Sequence, residues 1–89
     1  MELMIHFKGL PEGMDLDRMK AELDYVLEDS GWLTGSGQTA QAGWVELELE
    51  DERRNPKYGI LAVKEYLQKS RFPAETTIEL AGTPVGIYE

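Results

Sequence analysis

The chain predicts an α+β domain on the ferredoxin-like, split βαβ plan. The order is β-α-β-β-α-β with a terminal β-hairpin strand, and an antiparallel sheet carries two helices on one face. Three observations lead there. Trp44-Val45-Glu46-Leu47-Glu48-Leu49-Glu50 alternates without a break, with Val45, Leu47 and Leu49 on one side of a strand. Two stretches, 16–29 and 56–70, repeat apolar residues at helical spacing. Two short β-rich runs close the chain around Ala81-Gly82-Thr83.

At the start, Leu3, Ile5 and Phe7 alternate with Glu2, Met4, His6 and Lys8, which gives a first strand. Gly9, Pro11 and Gly13 break it. The first helix is expected over about Leu16 to Asp29, with Asp15 as N-cap and Leu16, Met19, Leu23, Val26 and Leu27 as its apolar stripe. Arg18 and Glu22, four apart, are spaced to pair. Gly31 is placed to end this helix in a left-handed conformation. Trp32-Leu33-Thr34 reads as a short strand, and Gly35 to Gly43, small and polar, as a loop. The central strand then runs to about Asp51.

Glu52-Arg53-Arg54-Asn55 is a charged turn. Asn55 as N-cap and Pro56 at the first helical position start the second helix, which has Ile60, Val63 and Leu67 inward and Leu61 and Tyr66 flanking. Glu65 and Lys69 pair in the favourable order, and Pro73 ends the segment. Thr76 to Leu80 and Pro84 to Tyr88 form the closing hairpin, with Val85 and Ile87 inward and Pro84 marking an edge. The first and third strands become central neighbours.

Eighty-nine residues make one domain. With 17 Asp and Glu against 9 Lys and Arg, the net charge is -8. That argues against nucleic acid and anionic membrane as partners, because both select basic surfaces, and it suits a protein with a basic surface or simply solubility. The chain has no Cys, so thiol chemistry and disulfides are excluded. The first residues lack the basic region and apolar run of a signal peptide, and no run is long enough to span a bilayer, so a cytoplasmic protein is expected. No sequence feature asks for a cofactor or a metal.

Four groups of residues are candidates for function. Glu46, Glu48 and Glu50 share the face of the central strand opposite its core side. Such rows are commonly solvated sheet surface, but Trp44 beside them argues for a protein-binding face, since aromatics concentrate at interface hot spots. His6, Met4 and Glu79 join that face. Gly35-Ser36-Gly37-Gln38-Thr39-Ala40 has the spacing of a dinucleotide-binding glycine loop, but a strand follows where that loop needs a helix. It is retained as a mobile loop candidate over Gly35, Ser36, Gly37, Gln38 and Thr39. His6 across from Glu46 or Glu48 resembles a general base and its orienter, but no nucleophile is tied to it by a motif, and a salt-bridged surface histidine is the favoured reading. Trp32, Trp44, Tyr58, Tyr66 and Tyr88 either line a pocket or cap the ends of the core.

Leu33-Thr34-Gly35-Ser36-Gly37, Val45-Glu46-Leu47-Glu48-Leu49 and the closing Gly86-Ile87-Tyr88-Glu89 resemble a group of short acidic bacterial α/β proteins with no assigned activity. Size and acidity are also similar to those of bacterial toxin-immunity proteins. The second resemblance implies a neutralising role toward a basic partner protein, and neither carries over a binding residue. The sequence reading is therefore a small acidic domain that acts by binding. Its rivals are a small-molecule regulatory domain that forms a homodimer through its sheet, and an enzyme using His6 and a glutamate.

Overall fold

The computed structural model describes residues 1–53 and 55–88. Arg54 of the charged turn and Glu89 of the closing segment lie outside the described residues. The chain is an α+β domain with two helices and a five-stranded antiparallel sheet. The strands are β1 (Glu2–Phe7), β2 (Gly31–Gln38), β3 (Gly43–Leu49), β4 (Thr77–Leu80) and β5 (Thr83–Gly86). The helices are α1 (Leu16–Leu27) and α2 (Pro56–Lys69). Strand order is β2-β3-β1-β4-β5, so β1 and β3 are central neighbours and the closing hairpin extends one edge.

The alternation read from the sequence decides which side of the sheet is dry. Leu3, Ile5, Phe7, Val45, Leu47, Leu49 and Ile78 are buried together with Met19, Leu23 and Leu27 of α1 and Val63 and Leu67 of α2. The rings of Phe7 and Phe72 meet edge-on at 6.4 Å and close one end of this core. Both helices start as their caps require. Asp15 accepts from Arg18 N at 2.8 Å, and Asn55 accepts from Lys57 N at 3.0 Å with Pro56 following.

Several expectations are corrected. The first helix stops at Leu27 and passes through a 3-10 turn, Glu28–Ser30. The positive φ falls on Glu28 (49°), while Gly31 is extended and already belongs to β2. Gly31 is required there by close approach: an added Cβ would stand 2.6 Å from the Glu48 carbonyl oxygen. The expected short strand at 32–34 and the expected loop at 35–43 are together one eight-residue strand and a tight turn. β2 pairs with β3 from Gly31↔Leu49 to Gln38↔Gly43, with a bulge between Leu33 and Gly35. In α2 the buried positions are Gly59, Val63 and Leu67, and Ile60 is only half-buried. Gly59 lets the helix close on Leu49, whose Cδ2 would be 2.9 Å from an added Cβ. Val85 is exposed, and Ile87, just beyond β5, supplies the buried contact instead.

Candidate protein-binding face

The sheet side away from the helices is open, and strand register arranges it in three transverse rows. Trp32, Glu48 and Glu2 form the first row. Gly35, Glu46, Met4, Glu79 and Pro84 form the second. Gly37, Trp44, His6, Thr77 and Gly86 form the third. Met4 is thus the centre of the face, flanked on its two neighbouring strands by Glu46 and Glu79. The rows follow from the period of two along each strand and the antiparallel pairing.

Trp44 is held by glycine. Its indole lies across β2, and a Cβ added at Gly37 would be 2.7 Å from Nε1 and 2.8 Å from Cε2. At Gly35 the same test gives 3.5 Å to Cζ3. These two glycines are a floor for an aromatic ring, not a loop. Trp44 stays 37% exposed, and Trp32 at the other end of the face is 52% exposed.

A shallow groove of about 340 Å³ runs over Met4, bounded by Met1, Glu2, Glu46, Glu79 and the turn at Ala81 and Gly82. Its floor is thioether and its rim is carboxylate. That combination suits a Lys or Arg side chain, whose alkyl stem packs on apolar atoms while its charged head reaches an acid.

The carboxylates of this side do not form one row of equals. Glu48 Oε1 lies 3.1 Å from the Met1 amine, which also reaches Asp51 Oδ2 at 3.1 Å and the Leu49 carbonyl at 3.0 Å. Hydrogen bonds to Asp51 and Glu48 push that amine above its ordinary pKa. Glu50 is off the face altogether. β3 ends at Leu49, and the Glu50 carboxylate turns to accept from Arg53 N at 2.7 Å and Glu52 N at 3.3 Å. Those amides, Arg53 first, hold Glu50 below the usual carboxylate range. Of the expected glutamate row, Glu46 alone is uncommitted, and its companions on the face are Glu79 and Glu2.

His6 does not stand across from Glu46 or Glu48, because register sets it beside Trp44 and Thr77. Its Nε2 is 3.6 Å from Glu79 Oε2. Among the described residues, no hydrogen bond links His6 to Thr77, and the carboxylate beside His6 is that of Glu79. Of the loop candidates, Gly35, Ser36, Gly37 and Gln38 lie in β2, and Thr39 opens the turn, where its N–H donates to the Ala42 carbonyl at 2.7 Å. The aromatics form no common pocket. Tyr66 sits between the helices, donating to Glu22 at 2.7 Å, and Tyr88 donates to the Phe72 carbonyl at 2.6 Å. Tyr58 projects into solvent.

Sequence reasoning missed Glu2 and the glycine floor. Glu2 was signalled by period two, since it alternates with Met4 and His6. The glycine floor was not, because the bulge between Leu33 and Gly35 breaks the alternation begun at Trp32 and shifts Gly35 and Gly37 onto the open face. Among the described residues, no three or more His, Asp or Glu side chains are grouped to hold a metal ion, and no helix is long and apolar enough to cross a membrane. Compared with known proteins, the chain matches no family model, no curated protein and no solved structure.

Proposed function

We propose that the chain is a small protein-binding domain on the split βαβ plan with an added hairpin strand, and that its open sheet face receives a protein with a basic surface. The strand order β2-β3-β1-β4, with β5 appended, supports the plan. The observation that carries the binding reading is the composition of the three rows around Met4. A half-exposed tryptophan fixed on glycine and a central methionine are bordered by Glu2, Glu46 and Glu79, the arrangement of an apolar anchor within a charged rim. Neutralisation of the partner, as an immunity-type protein does, is the sharpest form of this role.

The test is capture on the immobilised protein followed by binding kinetics at two salt concentrations. The wild type should associate fast and lose association rate steeply with salt. Glu46→Gln with Glu79→Gln should slow association, and Trp44→Ala should raise the dissociation rate. Kinetics indifferent to salt and to all of these changes would remove the face from consideration.

A further inference from the structure

The sheet has two free edges, and they are built differently. β5 is four residues long and contains Pro84, which has no N–H to offer a neighbour. β2 is eight residues long, without proline and without charge. The uncharged stretch is longer than the strand: the sixteen residues from Ser30 to Val45 contain no Asp, Glu, Lys, Arg or His.

The hairpin geometry identifies the groups on that edge. Thr39 and Ala42 are a hydrogen-bonded pair beside the turn. Alternation along an antiparallel ladder then turns the backbone groups of Ser36 and Gln38 away from β3. Among the described residues, nothing bonds to them. The bulge between Leu33 and Gly35 interrupts the edge on one side only, leaving Gly35 to Gln38 as a regular segment.

An uncharged edge offers a basic partner no complement; that partner's match is the carboxylate-rimmed face. A second copy is different. Two chains each carrying a net charge of -8 repel, and they approach closely only where both lack charge. An antiparallel pair sets this uncharged strand against itself around a two-fold axis, each copy supplying the other's missing hydrogen-bond partners. We infer that two copies of this chain associate through β2, merging their sheets into one of ten strands with both acidic faces on the same side. This stands independently of the basic-partner reading.

Sedimentation velocity over a range of protein concentrations, at low and high salt, tests it. The wild type should show a dimer that grows with concentration and strengthens with salt, because screening relieves like-charge repulsion. That sign is opposite to the one expected for a basic partner. Ser36→Pro removes an outward donor, and Gln38→Glu adds like charge at the edge; each should weaken the dimer about tenfold or more. Glu46→Gln with Glu79→Gln should leave the dimer intact or strengthen it. A monomer at every concentration, or a dimer of parental strength in Gln38→Glu, would overturn the inference. Gln38→Glu leaves the backbone unaltered, so it decides the matter even if Ser36→Pro fails to fold.

Discussion

The indole of Trp44 rests on the backbone at Gly37, so closely that a single added methyl would meet Nε1 at 2.7 Å. The pair links two strands and seats one of the two indoles of the open face against backbone. An aromatic residue that is ordered before binding has less conformational freedom to lose on association.

Gly37→Ala should therefore displace the indole. The expected cost to folding is about 1 kcal/mol, at the low end for overpacking because a side chain, not backbone, must move. In a Trp32→Phe background, the Trp44 emission should shift to the red as the ring enters water. Unchanged emission together with an unchanged melting temperature would show that the floor does not position the ring.

Tyr66 and Glu22 join the two helices through a 2.7 Å hydrogen bond, and Arg18 Nε reaches the same carboxylate at 3.2 Å. Tyr66 first, then Arg18, draws Glu22 below its ordinary pKa, while burial and then Glu22 push the Tyr66 hydroxyl well up. The signs follow by linkage. The Glu22 contribution is present above the ordinary value of 4.5 and is lost as pH falls through the depressed one. The Tyr66 contribution is complete below 10 and is lost as pH rises beyond it. Tyr66→Phe should cost about 1 kcal/mol near neutrality. It should also flatten both the acid and the alkaline limb of the stability profile, read by denaturant titration at several pH values.

Thr76 is fully buried, and its hydroxyl has no hydrogen-bond partner among the described residues. A buried unpaired hydroxyl is a cost that an isosteric apolar side chain avoids. Thr76→Val should be neutral or stabilising, by up to about 1 kcal/mol. A clear loss of stability in thermal unfolding would mean that the hydroxyl has a partner in solution.

Glu46 and Glu50 are predicted to part company although both belong to one alternating run. Glu50→Gln weakens the acceptor for the amides of residues 52 and 53 and should lower the melting temperature. That loss should grow relative to wild type above the depressed Glu50 pKa and vanish in acid, where both side chains are neutral. Glu46→Gln should leave the melting temperature unchanged. Equal effects from the two would remove the distinction between turn acceptor and open-face carboxylate.

The sequence by itself determined the two helices, their caps and the dry side of β1 and β3. Those features depend on local rules: the period of the apolar residues, the oxygen of Asp15 or Asn55 facing free amides, and the ring of Pro56 at a first helical position. It also placed Trp44, Glu46, Met4, His6 and Glu79 on one face, since a period of two needs no knowledge of neighbours. Only the tertiary structure decided what Gly35-Ser36-Gly37 is. Glycine has no side-chain signal to separate a loop from a strand, and here the deciding contact is an indole on the neighbouring strand. Register across strands was likewise hidden, which is why His6 meets Glu79 and not Glu46 or Glu48. Glu50 left the face because β3 ends one residue earlier, where free amides after the strand attract its carboxylate more than the open sheet does.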